Sequence, residues 1–233
     1  MSVLVIQNYP DSGLGQIEPV LINAGFSIDL RHAYRGDGLP RDDSDHQAII
    51  VLGGEQNALA DEECPYFPDL LNLIRAFGDK DKAVLGICLG SQLVARAYGG
   101  DNILDRPMEF GWHEVRLTHN GKSDPVLAAA GSAFPIFHWH RDTFSLPETA
   151  IHLAESDMTA HQAYRIGRAV YGTQFHFEAD TKLVTEWSES LSSSIATFDS
   201  DWAAQFPENV QRSGSDADKA GAALASAWIG LIW

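Results

Sequence analysis

Ala83-Val84-Leu85-Gly86-Ile87-Cys88-Leu89-Gly90-Ser91-Gln92 reads as a strand, an abrupt turn and the start of a helix. Cys88 stands at the turn, with Gly86 two residues before it and Gly90 two after. This is the spacing of a nucleophile elbow, where glycines sit because strand and helix backbones crowd each other. Such a turn lifts the thiol at the carboxyl end of a strand, where open α/β sheets bind their ligands. The first helical turn brings amides and a positive dipole end to the same place, which suits developing negative charge.

Working outward, residues 3–6 and 48–52 are continuous apolar runs of the kind that form strands buried on both faces. Residues 26–30 supply a further strand. Helices are expected over 13–24, stopped by Gly25, over 66–77 (Phe67, Leu70, Leu71, Ile74, Phe77) and over 90–98. Residues 31–45 are polar and read as a loop. Alternating strands and helices imply βαβ units and an open, mostly parallel α/β sheet. The grammar then changes. Short strands are expected at 113–118, 133–137, 151–154, 162–166 and 169–175, as antiparallel material appended to the sheet. Helices return at 182–198 and 216–233, joined by a polar link over 207–215. The expected division is a catalytic unit over 1–199 and a helical extension over 200–233 packed on it. Its apolar stripe, Ala220, Leu224, Trp228 and Leu231, seals the chain's own core or docks a partner.

The formal charge is −16, from 16 basic and 32 acidic residues. Residues 37–63 and 178–218 carry −14 of it. The balance argues against nucleic-acid binding and against docking on anionic lipid. Only two cysteines are present, Cys64 and Cys88, too few for a disulfide scaffold. The N-terminus lacks the features of a signal peptide, and no apolar run reaches the ~18–20 residues of a membrane span. The expected setting is cytoplasmic. No phosphate-binding glycine loop occurs; Gly99-Gly100 is a helix stop.

A nucleophilic thiol needs a base, and the base an orienting group. In Gln174-Phe175-His176-Phe177-Glu178, His176 and Glu178 share a face if the segment is extended. A second constellation, His138-Trp139-His140-Arg141-Asp142, has the His-x-His-x-Asp spacing of dinuclear zinc hydrolases, but Thr143 follows where a further histidine is usual. No metal or other cofactor is expected.

Taken together, 86–92 and 174–178 resemble the class I (triad) glutamine amidotransferases over residues 1–180, in the manner of stand-alone proteins similar to the amidotransferase domain of GMP synthase. The resemblance implies a flavodoxin-like sheet and a Cys-His-Glu triad of Cys88, His176 and Glu178. It implies oxyanion donors at Gly54 and Leu89, and substrate contacts at Gln92, at Gly111 within Phe110-Gly111-Trp112, and at His140. Departures are Phe177 and Glu55 where the family often has proline, and Arg141 where it often has glycine. The implied reaction is hydrolysis of the glutamine γ-amide through a Cys88 thioester. The ammonia then goes to a separate synthase partner, or the protein is a stand-alone hydrolase. Alternatives are a γ-glutamyl peptide or polyamine hydrolase with the same triad, a non-catalytic regulatory homologue, and a zinc hydrolase built on His138, His140 and Asp142. Oligomeric state stays open, and a homo-oligomer is compatible with everything above. The acidic clusters include Glu55 and Glu178, so acidic groups are expected at the rim of the site. They would favour a zwitterion or a cationic γ-glutamyl amine.

Overall fold

The apolar runs become central strands because their alternate side chains enter two different cores. In β1 (Ser2–Gln7), Val3 and Val5 join one core while Leu4 and Ile6 join the other. After α1 (Ile17–Asn23) and β2 (Ser27–His32), the same alternation recurs in β3 (Ala48–Val51). It recurs again, beyond α2 (Phe67–Asp79), in β4 (Ala83–Ile87). In β4, Leu85 and Ile87 face one core, and Gly86 lies under α3 (Leu89–Ala97), where a side chain would strike the Gly90 carbonyl. A computed structural model provides these coordinates and describes residues 1–232; Trp233, the last residue of the expected C-terminal helix and extension, lies outside the described residues.

The remaining elements are β5 (Asn102–Ile103), β6 (Glu109–Leu117), β7 (Ala133–His140), β8 (Thr143–Phe144), β9 (Ala150–Glu155), β10 (Ala163–Ile166) and β11 (Val170–Thr173), then α4 (Thr181–Ser190), α5 (Ser192–Ile195), α6 (Trp202–Asn209) and α7 (Ser215–Ile229). Among the described residues, nine strands form one sheet in the order β2-β1-β3-β4-β11-β10-β9-β6-β7, and β5 pairs with β8 in a small second sheet. The strands from β2 to β11 in that order run parallel; from β11 to β7 each neighbour is antiparallel. The expected open, mostly parallel sheet with an antiparallel appendage is therefore present. β7 ends the sheet order, but His176 pairs with Phe137 in an isolated antiparallel bridge, which folds the β6–β7 hairpin back towards β4. That bridge brings distant strand ends to one place.

Two expectations are corrected. The helix over 182–198 is split at Leu191: Asp180 caps α4 by accepting from Leu183 N at 2.9 Å, and the serine-rich stretch 192–194 supports only the short α5. The link over 207–215 is helical. Pro207 lies inside α6, and a π-helical turn, Val210–Gly214, carries the chain into α7. Packing decides this: Trp202 and Phe206 of α6 lie against Trp112, and Trp202 also meets Phe110 at 4.5 Å between ring centroids. Ala217, Ala220, Leu224 and Trp228 of α7 are buried in the same core as β1 and β4. Among the described residues no helix is long and apolar enough to cross a membrane.

Candidate active site

Cys88 joins β4 to α3 with φ 53° and ψ −112°, a conformation that residues other than glycine rarely adopt. Two close approaches hold it there. A Cβ on Gly86 would collide with the Gly90 carbonyl, and a Cβ on Gly90 would collide with the Val51 carbonyl of β3. The elbow is therefore over-determined by packing, and the strain falls on the residue that carries the thiol. Cys88 is almost buried, and its Sγ donates to the Trp139 carbonyl at 3.6 Å.

His176 enters from the segment after β11. Its backbone N–H donates to Phe137 O at 2.8 Å, and its ring packs edge-on against Trp187 at 5.4 Å. Its Nδ1 lies 2.6 Å from Glu178 Oε1. Glu178 is held in turn by the loop before α1: its carbonyl accepts from Gln16 N at 2.9 Å, and Gln16 Nε2 donates to Phe177 O at 2.7 Å. Burial disfavours the imidazolium, but the Glu178 carboxylate and the Cys88 side chain beside the ring outweigh it and raise the His176 pKa well above the ordinary value. Nε2 is buried without an aligned partner, so it is the nitrogen turned over to chemistry.

The loop after β3 runs between these two side chains. A carbon placed on Gly53 would lie 3.5 Å from Cys88 Cβ and 3.4 Å from His176 Cε1. Gly54 is adjacent: a Cβ there would come within 2.9 Å of Leu89 Cδ2. Asn8, fully buried at the end of β1, ties this loop down. Its Nδ2 donates to Leu52 O at 2.7 Å, and its carbonyl accepts from Gln56 Nε2 at 2.9 Å. A cleft of about 480 Å³ opens over Cys88, with Gly54, Leu89, Gln92, His140 and His176 in its walls. Leu191, Ser194, Thr197 and Phe198 form another wall, which no sequence pattern marks. Of the acidic side chains in the two clusters only Glu55 lines the cleft, as expected of it; the other acidic side chains there, Asp11, Asp105 and Asp142, come from outside both clusters, with Arg141 among them. Burial, then Glu55 and Asp11, raise the phenol pKa of Tyr9 on the same wall.

Not every expected contact gathers here. Gln92 does, and its Nε2 donates to Gln174 Oε1 at 3.2 Å and to Asp142 O at 3.3 Å. Gly111 (φ 96°) faces Trp202 and is not part of the cleft wall, so the substrate role implied for it is withdrawn. His138 and His140 share a face of β7, but Asp142 lies beyond the strand end and its Oδ1 accepts from Asp105 N at 2.9 Å. Their carboxylate neighbour is Glu109, which the expectation missed because its strand begins four residues earlier than the pattern indicated. The zinc-hydrolase arrangement of His138, His140 and Asp142 therefore does not form. Cys64 lies in the other core, and burial raises the pKa of its thiol.

Comparison with known proteins bears on the family and the fold. The family model described as "Glutamine amidotransferase class-I" matches residues 11–186. The glutamine amidotransferase-like protein YfeJ of Salmonella typhimurium is 35% identical over 163 residues, covering 69% of this chain and 68% of that protein. A glutamine-hydrolyzing GMP synthase subunit of Methanosarcina barkeri is 28% identical over 196 residues, covering 82% of this chain and 93% of that one. A crystal structure of a glutamine amido transferase from Methylobacillus flagellatus superposes with a TM-score of 0.87 at 28% identity, covering 100% of this chain and 95% of the other. The chain belongs to the class I glutamine amidotransferase family.

Proposed function

We propose that the protein hydrolyses the γ-amide of glutamine to glutamate and ammonia through a thioester on Cys88. The observation that carries this reading is the strained thiol at the elbow, facing a histidine whose other nitrogen is 2.6 Å from a buried carboxylate. Cys88 passes its thiol proton to His176 Nε2 as Sγ attacks the amide carbon. The backbone N–H groups of Gly54 and Leu89 receive the oxyanion. The C–N bond breaks as His176 gives its proton to the leaving ammonia. His176 then takes a proton from water, which cleaves the thioester and frees glutamate and the thiol. Glu178 holds the imidazole by Nδ1 throughout. Gln92, fixed by Gln174 and Asp142, contacts the bound glutamine, and His140 borders it. Residues 1–199 form the catalytic unit, and the extension from 200 onward closes its core through Trp202, Leu224 and Trp228. The free thiols of both cysteines support a reducing, cytoplasmic setting. A relative named as a synthase subunit supports delivery of ammonia to a partner.

Ammonia release from glutamine, measured with and without cell extract, tests this reading. Turnover that saturates with glutamine supports it, stimulation by extract adds the partner, and no release under either condition contradicts it.

A second reading, hydrolysis of γ-glutamyl amines, is favoured by the acidic wall of the cleft. Glu55→Gln is expected to lower kcat/KM for a cationic γ-glutamyl amine relative to glutamine by up to about five-fold, the scale of one exposed charge. Competition between the two substrates reads the ratio directly. An unchanged ratio removes Glu55 from substrate selection.

Glu178→Gln removes one of the charges that raise His176. Its titration midpoint, followed by NMR of the ring, is expected to move to lower pH, and kcat to fall by about 10²-fold. The sign for stability follows. A histidine with a raised folded pKa contributes stability that is complete below its ordinary value of about 6.5 and is lost as pH rises through the folded value. The stability advantage of the wild type over Glu178→Gln therefore shrinks as pH rises. A midpoint that stays in place contradicts the assignment.

A further inference from the structure

Behind the wall of the cleft, and reaching it through His140, lies a second cluster that takes no part in the proposed bond-making steps. Glu109 of β6 pairs in register with His140 of β7, and His138 follows two residues away on the same face. All three are buried, with His138 and Glu109 at 0% and 1% exposure. His140 Nε2 lies 3.1 Å from Glu109 Oε2, and His138 Nδ1 lies 3.7 Å from Glu109 Oε1. Neither approach is aligned as a hydrogen bond, and neither ring nitrogen of His138 has a partner. Ser156 and Gln162 also converge on Glu109, donating at 2.6 and 2.9 Å. Gln162 is fully buried, and its side-chain oxygen is unpartnered too.

One carboxylate and several orphaned nitrogen and oxygen atoms in a dry interior make an expensive arrangement unless something joins them. No lysine or arginine pairs with Glu109 among the described residues; its ion pairs are with these two histidines. A proton would join one histidine to the carboxylate and leave the other orphaned. A cation would satisfy both.

We propose that Glu109, His138 and His140 bind a divalent transition metal of the zinc class. Two imidazoles and one carboxylate are a donor set that zinc takes readily, and the Ser156 hydroxyl, 2.6 Å from Glu109 Oε1, is at hand to complete it. The donor atoms of the three residues all lie within 4.8 Å of one another. Zinc held about 2.0–2.2 Å from each donor sets tetrahedral donors about 3.4 Å apart, so the 3.1 and 3.7 Å separations already lie near that spacing and loading asks only a small shift of the rings. The His138 ring has no hydrogen bond to break in making that move.

The site has a structural consequence. The strand that carries both histidines also gives its Phe137 carbonyl to the His176 backbone and its Trp139 carbonyl to the Cys88 thiol. A metal on one face of β7 would fix the strand that anchors both groups from its backbone. Nothing in the hydrolytic steps passes through it, so this is a stabilising centre beside a metal-free thiol site.

The test uses purified full-length protein, stripped by chelator and dialysed against micromolar Zn²⁺ or Co²⁺, without substrate. The expected result is one equivalent of zinc by elemental analysis and a Co²⁺ form with visible d–d bands but no thiolate-to-cobalt charge-transfer band. Cys88→Ala should keep the equivalent, whereas His138→Gln should lose it; folding of each variant is checked by circular dichroism. A rise in Tm on adding Zn²⁺ to the wild type, absent in His138→Gln, is the second readout and does not depend on activity. No stoichiometric metal in the wild type overturns the proposal. So does a charge-transfer band, loss of metal in Cys88→Ala, or full retention in folded His138→Gln. If His138→Gln does not fold, Glu109→Gln takes its place under the same criteria. Failure of glutamine hydrolysis leaves these outcomes unaffected, so the two readings fail separately.

Discussion

Cys88→Ala is expected to abolish ammonia release, with kcat falling by roughly four orders of magnitude or more, while the protein stays folded. The size follows from the role: without the sulfur no thioester forms, and the remaining donors only bind and polarise. The retained fold follows from the surroundings. The Cys88 side chain donates a 3.6 Å hydrogen bond to the Trp139 carbonyl, a partner alanine leaves on the strand, and the elbow is set by backbones on either side of it. The backbone at 88 carries strain because φ is 53°. Cys88→Gly is therefore expected to be more stable than Cys88→Ala by about 1 kcal/mol, although both are inactive. A residue kept for stability would show the reverse order. Comparison of Tm and of steady-state ammonia release for the two variants decides it. Residual turnover above about 1% of wild type in either variant removes Cys88 as nucleophile.

Gly90→Ala is the substitution with the largest expected cost to the fold. The added methyl would enter the Val51 carbonyl, a backbone group within the sheet that has no rotamer to escape into. Moving α3 away would open the core beneath it, where Leu93 and Val94 are fully buried. Overpacking of this kind costs about 3 kcal/mol or more, which for a chain of this size lowers Tm by about 10 °C. Differential scanning calorimetry reads the shift. A Tm within about 2 °C of wild type would mean that strand and helix are not locked together at the elbow, and the strain at Cys88 would lose its cause.

The parts of the molecule that were legible in advance are those where local chemistry and global packing ask for the same residue. Val3–Ile6 is apolar at every position because β1 has a core on each side. Gly86 and Gly90 are glycines because two backbones pass there. His176 and Glu178 lie two apart because the carboxylate must reach Nδ1. What was not legible depends on register or on distant packing. Glu109 meets His140 only through the pairing of β6 with β7, which no spacing within either strand reveals. Residues 207–215 are polar and contain Pro207, yet they are helical because Trp202 and Phe206 fasten α6 to an aromatic cluster nearly a hundred residues earlier in the chain. The wall of the cleft from Trp187 to Phe198 has the same origin: Trp187 packs on Trp139, and Phe198 on Phe110 and Trp139, side chains of distant strands rather than any pattern of its own.

The acidic balance likewise takes a more specific meaning in three dimensions. Glu178 is withdrawn from the surface into a buried pair with His176, whereas Asp11 and Glu55 remain at the cleft. One acidic group orients the base, and the others shape what approaches it.

The central claim is that Cys88 forms a covalent γ-glutamyl intermediate, and its most direct test is trapping with an electrophilic glutamine analogue followed by peptide mass spectrometry. The account predicts one adduct per chain, located on Cys88, suppressed by excess glutamine and absent from Cys88→Ala. An adduct on Cys64 alone, or no adduct protected by glutamine, would contradict it.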